Sequence, residues 1–119
     1  MTLRCNPECG KGYDIVVEAG SLDRIGALLD LSGRKVLVVT DDGVPSEYAE
    51  KVAAAFAGSR ILTLKAGEST KSISALEDIF STLVGQRFSR NDVIVAVGGG
   101  MVGDLCGFAA ACYMRGIAF

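Results

Sequence analysis

The feature that most constrains the fold of this chain is a pair of short, almost continuous apolar runs at residues 35–39 and 92–97. Runs of this length, rich in Val, are typical of strands that are buried on both faces of a parallel sheet. Shorter strand patterns occur at 13–17 and 60–64, and residues 117–119 begin another, while helical patterns fill the intervals at 22–29, 45–57, 73–83 and 100–114. This alternation predicts an α/β fold, a Rossmann-like open parallel sheet with helices on both faces.

The size and composition of the chain predict one domain over residues 1–119. The chain is long enough for a single core, and 50% of its residues are hydrophobic against 22% that are charged, the balance of a globular protein. We expect this domain to be incomplete at its carboxyl end, because a strand that begins at 117–119 needs neighbours and a cover.

The charge and hydropathy patterns argue against two classes of partner. The formal net charge is -2 and the Lys and Arg residues are scattered, so we expect no nucleic-acid-binding face. No apolar run reaches the roughly 20 residues that span a bilayer, and the first residues lack the apolar core of a signal peptide. We therefore expect a cytoplasmic protein that binds neither nucleic acid nor membrane.

The cysteine and histidine content limits the possible chemistry. The chain has no histidine, so it supplies no imidazole as a base or as a metal ligand. Its four cysteines could form two disulfides or part of a metal site, but the composition favours free thiols. Cys106 and Cys112 are six residues apart on a predicted helix and should point to different faces.

A glycine-rich turn is the first candidate for a binding site. The stretch Gly98–Gly103 reads GGGMVG, follows a predicted strand, opens a predicted helix and satisfies the pattern G-x-G-x-x-G. Glycine lets the backbone approach an anion closely, and the free amides and dipole of a helix amino terminus favour a diphosphate. Tight turns in parallel sheets are also glycine-rich for packing reasons alone. The turn follows about the fourth strand rather than the first, so a nucleotide here would be held in a variant arrangement.

Two polar loops should lie beside this turn, since open α/β sheets bind ligands at the carboxyl ends of their strands. They are Asp41–Gly43 and Gly67–Lys71, and the glycine turn adds Asp104. Each charge also has an ordinary explanation: Asp41 could end a strand, Lys71 and Glu68 could form a solvated pair, and Asp104 could interact with a helix dipole.

Taken together, three segments resemble the 3-dehydroquinate synthase family. They are GGGMVGDLCGFAAACYMRG from Gly98 to Gly116, GESTKS from Gly67 to Ser72, and VVTDDGV from Val38 to Val44. They occur in the order and spacing of that family. The resemblance implies conversion of 3-deoxy-D-arabino-heptulosonate 7-phosphate to 3-dehydroquinate and phosphate, in the shikimate route to chorismate and the aromatic amino acids. It also implies two cofactors: NAD, used catalytically, and a divalent metal, zinc or cobalt, acting as a Lewis acid.

The resemblance assigns roles to particular residues. Asp41 would bind an adenosine-ribose hydroxyl, and Arg115 would reach the sugar-phosphate substrate of a neighbouring subunit in a homodimer. The remaining cofactor-binding positions fall in two loops: Gly67, Glu68, Ser69, Thr70 and Lys71 around the adenosine portion, and Gly99, Gly100, Met101, Val102, Gly103 and Asp104 around the diphosphate and nicotinamide.

Two departures from the family pattern limit what this chain can do. Gly43 stands where many members have Asn, so one contact to the adenosine side is missing. The family's metal ligands, one Glu and two His, lie in a later helical domain that this chain lacks. We therefore predict no catalytic residue and no metal ligand here, and a chain that binds NAD but is inactive alone.

Three other functions stay open. The first is another sugar-phosphate cyclase, which would differ mainly in its substrate domain. The second is an iron-type alcohol or glycerol dehydrogenase, against which Met101 and the run Asp104–Phe108 argue. The third is a non-catalytic nucleotide-binding module or remnant.

Overall fold

The computed structural model describes residues 1–119 and contains five strands and four helices. The strands are β1 Thr2–Cys5, β2 Tyr13–Val16, β3 Val36–Asp41, β4 Arg60–Leu64 and β5 Val93–Ala96. The helices are α1 Ile25–Leu28, α2 Ser46–Ala55, α3 Ile73–Gly85 and α4 Gly100–Cys112, with single 3-10 turns at Leu22–Arg24, Glu68–Thr70 and Tyr113–Arg115. No helix has both the length and the hydropathy needed to cross a membrane.

A parallel sheet forms the centre of the structure, with strand order β4-β3-β5. In the register of the sheet, Thr40 of β3 lies opposite Thr63 of β4, and Val39 lies opposite Ala96 of β5. Beyond β5, Ala118 forms one parallel bridge to Val93, and its carbonyl accepts a hydrogen bond of 3.0 Å from the Ile94 amide. Residues 117–119 therefore begin to pair as a further parallel strand.

Helices cover both faces of this sheet, as predicted. On one face, alternate β3 residues such as Leu37 and Val39 join a core of 16 buried residues with α3 and α4. On the other face, Val36 and Val38 pack with Ala49, Val52 and Phe56 of α2 in a smaller cluster. The first four residues of β3 are completely buried because the strand is central and covered twice.

The amino-terminal segment departs from the prediction. Residues 13–16 do form a strand, but β2 pairs antiparallel with β1 in a separate two-stranded sheet and not with the parallel sheet. Strand β1 was not predicted. The apolar residues Leu3, Tyr13 and Ile15 lie on one face of this hairpin, and all three are exposed.

All four cysteines are free thiols, as predicted. Cys106 is buried and Cys112 is exposed, so the two do point to different sides of α4.

Candidate functional site

The three predicted loops come together at the carboxyl edge of the parallel sheet, because each follows one of three neighbouring parallel strands. The first two loops are joined by Asp42, whose Oδ1 accepts a hydrogen bond of 2.7 Å from the Ala66 amide. The second and third are joined by Lys71, whose Nζ donates to Asp104 Oδ2 at 2.6 Å. The structure therefore confirms the predicted proximity of these loops.

The glycine turn leaves open space at the start of α4. A Cβ at Gly98 would lie 2.9 Å from Val102 Cγ2, so packing alone explains that glycine. A Cβ at Gly99, Gly100 or Gly103 would meet no atom within 4 Å, and none of the three has a left-handed φ. Neither packing nor backbone conformation within this chain requires glycine at these three positions.

The amino terminus of α4 has no side-chain cap, since Gly99 occupies the capping position. The first amides of the helix therefore face the open space, where they and the helix dipole favour an anion. The side chains of Met101 and Val102 are buried in the core, so these residues can contact a cofactor only through their backbone. A glycine cradle next to free amides fits the diphosphate of a dinucleotide.

Lys71 and Asp104 form an ion pair that the sequence did not predict, since Glu68 was the only partner considered for Lys71. The hydrogen bond to Asp104, and then the charge of that carboxylate, raise the pKa of Lys71, and Glu68 contributes less. Asp104 lies beyond the first turn of α4, where the dipole has little effect. Both side chains are about half exposed, so the pair adds little stability and can open for a ligand.

Asp41 has the turn role expected of its residue type and also keeps a free oxygen. Its Oδ1 accepts a hydrogen bond of 2.8 Å from the Gly43 amide, an Asx-turn that ends β3. Its second carboxylate oxygen makes no hydrogen bond within the chain and could accept one from a hydroxyl. A Cβ at Gly43 would lie 3.1 Å from both Ala66 Cβ and Asp41 Oδ1, so a side chain there would require small shifts.

A glycine at the start of the loop Gly67–Lys71 and a helix cap just after it determine the conformation of the loop. Gly67 has φ +108°, a conformation that residues with a Cβ rarely adopt, and Glu68, Ser69 and Thr70 form a single 3-10 turn after it. Ser72 then caps α3, as its Oγ accepts a hydrogen bond of 3.3 Å from the Ala75 amide. Both features hold the exposed loop beside the end of β4.

Arg115 lies far from the other predicted site residues. It follows α4, whose 13 residues separate it from the glycine turn by on the order of 20 Å. Met114 and Arg115 have left-handed φ angles of 47° and 62°, which are uncommon for residues with a Cβ. The buried Tyr113 holds this turn, because its hydroxyl donates a hydrogen bond of 2.8 Å to the Phe88 carbonyl. Arg115 is exposed and cannot reach the glycine turn of its own chain.

A second cleft, of about 660 Å³, lies at the opposite edge of the sheet. Two of its three cations have structural partners: Lys35 Nζ donates to the carbonyls of Gln86 and Arg87, and Arg34 Nε donates to the Asn91 carbonyl, whereas Arg60 makes no side-chain hydrogen bond. No group of three or more Cys, Asp or Glu side chains is placed to hold a metal ion. The residues present therefore do not fit a metal.

Comparison with known proteins supports a relation to one family. Residues 61–119 match the family model described as 3-dehydroquinate synthase N-terminal. The chain is 42% identical over 113 residues to a 3-dehydroquinate synthase of Clostridium acetobutylicum, a match that covers 90% of this chain and 32% of that protein. The chain thus spans about a third of the length of the curated relatives it matches.

Solved structures of two other synthases share the fold. A 2-deoxy-scyllo-inosose synthase in complex with carbaglucose-6-phosphate, NAD+ and Co2+ superposes with a TM-score of 0.87 at 25% identity, over 99% of this chain and 33% of that one. A 2-epi-5-epi-valiolone synthase from Streptomyces hygroscopicus, with NAD+ and Zn2+ bound, gives a TM-score of 0.70 at 28% identity, over 97% of this chain and 33% of that one.

Proposed function

We propose, from the premise that residues 61–119 belong to the 3-dehydroquinate synthase N-terminal family, that this chain is the NAD-binding portion of a 3-dehydroquinate synthase. The observation that carries the proposal is the space in front of α4. Gly99, Gly100 and Gly103 leave open a cradle beside uncapped helix amides, and nothing else in the chain requires glycine at these positions. A diphosphate supplies both the negative charge and the bulk that this space lacks.

The roles of the individual residues follow from where they lie. The diphosphate would lie against Gly99, Gly100 and the amides of Met101 and Val102. The free carboxylate oxygen of Asp41 would accept a hydrogen bond from an adenosine-ribose hydroxyl. Lys71 would exchange its contact with Asp104 for one with the cofactor, which its exposure allows. The loop Gly67–Thr70 would cover the adenosine side.

The activity that we propose is that of the full-length relatives, of which this chain spans about a third. That activity converts 3-deoxy-D-arabino-heptulosonate 7-phosphate to 3-dehydroquinate and phosphate. NAD would accept a hydride from a substrate hydroxyl carbon and later return it, and a divalent metal bound by residues outside this chain would polarise that hydroxyl. Arg115 would contribute its guanidinium to the anionic substrate of a second subunit, since it is exposed and remote from the glycine turn of its own chain.

Titration of the purified chain with NAD in a calorimeter tests the binding proposal. We expect saturable binding at one site, and we expect Gly100→Val to abolish it because the new side chain fills the space of the diphosphate. Gly85→Val is the matched control, since a Cβ at Gly85 also meets no atom within 4 Å but lies at the far end of α3. Unchanged NAD affinity in Gly100→Val would refute the site assignment.

A second candidate function is that of another sugar-phosphate cyclase. The TM-score of 0.87 to a 2-deoxy-scyllo-inosose synthase favours it, but the 42% identity to a 3-dehydroquinate synthase favours the first proposal. The two enzymes would bind NAD in the same way, so only an assay of the longer protein with each sugar phosphate separates them. Release of phosphate from the heptulosonate alone would support the synthase.

A further inference from the structure

Five of the 12 Lys and Arg residues of the chain lie at the amino edge of the parallel sheet, the edge opposite the glycine turn. Arg60 begins β4, Arg34 and Lys35 come directly before β3, and Arg87 and Arg90 belong to the segment that leads into β5. Because parallel strands start at the same edge of a sheet, cations that are scattered in the sequence come together in the fold. We call these five residues the basic edge.

Hydrogen bonds hold the segments of the basic edge next to one another. Lys35 Nζ donates to the Arg87 carbonyl at 2.9 Å, and Arg34 Nε donates to the Asn91 carbonyl. Arg34, Lys35 and Arg60 line the cleft of about 660 Å³ described above. The basic edge is therefore one surface around this cleft, which we call the amino-edge cleft.

The charge of the basic edge is not neutralised within the chain. None of its five cations forms an ion pair, whereas four of the other seven do, namely Arg4, Arg24, Lys51 and Lys71. Asp30 is the only carboxylate that lines the amino-edge cleft, and its Oδ1 already accepts hydrogen bonds from the amide and hydroxyl of Ser32. A chain with a net charge of -2 thus concentrates positive charge at one edge.

Helix ends explain only part of this charge. Helices α2 and α3 end at the same edge, and the carbonyls at a helix carboxyl terminus attract cations. Lys35 has this role, because its Nζ donates to the carbonyls of Gln86 and Arg87 just after α3. Arg60 makes no side-chain hydrogen bond, and only the Nε of Arg34 makes one. A helix terminus carries about half a unit charge, so two helix ends do not account for five cations.

The free donors and the size of the amino-edge cleft indicate the class of ligand. Each guanidinium presents planar pairs of N–H groups, which match the oxygens of a phosphate. The volume of the cleft is that of a small-molecule site. The basic edge spans three neighbouring strands, about 10 Å, which is short for a nucleic-acid backbone bound through several phosphates. A small anion with more than one phosphate group has the matching size and charge.

We propose that the amino-edge cleft binds a small molecule that carries two or more phosphate groups, held between Arg34 and Arg60. The site is separate from the glycine turn, since the two lie at opposite edges of the sheet. The proposal therefore does not depend on NAD being the ligand of α4. The bound anion would join the segments that lead into β3 and β4.

Titration of the ¹⁵N-labelled chain with inorganic tripolyphosphate, followed by NMR at constant ionic strength, tests the proposal. We expect saturable shifts of the amides of Gly33 and Gly58, which line the amino-edge cleft. Arg60→Gln should weaken binding about tenfold, the effect of one charged hydrogen bond, and should keep the fold because Arg60 has no partner in it. Lys65→Gln is the matched control: it removes the same charge just beyond the other end of β4 and should bind like the unsubstituted chain.

The remaining outcomes are distinct. Equal affinity in Arg60→Gln and the unsubstituted chain, or shifts that do not saturate, would overturn the proposal. Shifts confined to the first turn of α4 would also overturn it, and would support the anion site of the proposed function. Inorganic phosphate carries less charge and reaches fewer cations, so it should bind more weakly; an affinity equal to that of tripolyphosphate would overturn the requirement for two or more phosphates. Failure of the chain to bind NAD would leave this inference standing.

Discussion

At the scale of single residues, Asp92 shows how one carboxylate can fix two segments of the chain. It is 6% exposed, and its Oδ1 and Oδ2 accept hydrogen bonds from the amides of Lys35 at 2.8 Å and Ser89 at 2.6 Å. Burial raises the pKa of the carboxyl, but these amides, with smaller effects of the Ser89 side chain and the charge of Lys35, hold it below its ordinary value of 3.8. Asp92 therefore ties the start of β3 to the loop before β5.

The depressed pKa gives a prediction about stability in acid. A carboxyl whose pKa is lower in the folded than in the unfolded state stabilises the fold above its ordinary pKa, and this stabilisation is lost as the pH falls through the folded value. The side chain of Asn has only one acceptor oxygen. Its NH2 group would therefore face one of the two backbone N–H donors that Asp92 now accepts from. We expect Asp92→Asn to lower the free energy of unfolding at pH 7 by about 1–3 kcal/mol, measured with urea.

In the Asp92→Asn variant, the free energy of unfolding should fall less steeply below about pH 4 than it does in the unsubstituted chain. Asp78→Asn is the control, since Asp78 is exposed and its carboxylate accepts no hydrogen bond. An Asp92→Asn chain with the stability and acid dependence of the unsubstituted protein would show that Asp92 does not hold the two segments together.

At the scale of elements, Ser72 links the nucleotide loop to the helix that follows it. Its Oγ accepts from the Ala75 amide and donates to the Thr70 carbonyl at 3.2 Å. We expect Ser72→Ala to lower the free energy of unfolding by about 1 kcal/mol, the usual value of an N-cap, and to speed hydrogen exchange of the Ala75 amide. Ser74→Ala, in the same turn but without a side-chain hydrogen bond, should have a smaller effect. Equal losses in the two variants would contradict the cap.

The elements also show where sequence reasoning succeeded. The strands at 36–41 and 93–96 were predicted within about two residues, because a strand covered on both faces must be apolar throughout. The edge strand at 60–64 was predicted with the same bounds, although most of its residues are exposed. Strand β2 was predicted, but its hairpin was missed, because the short strand β1 was not recognised and so the partner of β2 was not known. Periodicity identifies a strand, but it does not specify which neighbour the strand pairs with.

The site was less predictable from the sequence than the strands were. The convergence of the three loops follows from parallel pairing, whereas the partner of Lys71 depends on side-chain directions. Local sequence places Glu68 nearest to Lys71, yet the fold brings Asp104 across from another helix. Such contacts are long-range in sequence and leave no local pattern.

At the scale of the whole molecule, the binding edge and the core are coupled through α4. The helix begins at the glycine turn and buries Met101, Val102 and Cys106 against the sheet. A ligand that holds the first turn of α4 should therefore stabilise the entire parallel-sheet domain. It should have less effect on the hairpin, which forms a sheet of its own.

Cys106 provides a direct measurement of this coupling. It is fully buried, and burial raises the pKa of its thiol to about 12, whereas Cys9 and Cys112 are exposed and Cys5 is half-buried. With a thiol reagent such as Ellman's, we expect three cysteines to react quickly and Cys106 to react only when the domain opens. NAD at about 100 times its dissociation constant should slow that last reaction roughly a hundredfold, since it stabilises the closed state by about 2.7 kcal/mol.

The Gly100→Val chain is the control for this experiment, because it should keep the slow phase and lose its response to NAD. Reaction of all four thiols at one rate would mean that α4 is not firmly packed. A slow phase that NAD leaves unchanged, in a chain that binds NAD by calorimetry, would mean that Cys106 becomes accessible while the ligand stays bound. In that case the glycine turn and the core would open independently. NAD would then stabilise only the first turn of α4 and not the domain as a whole.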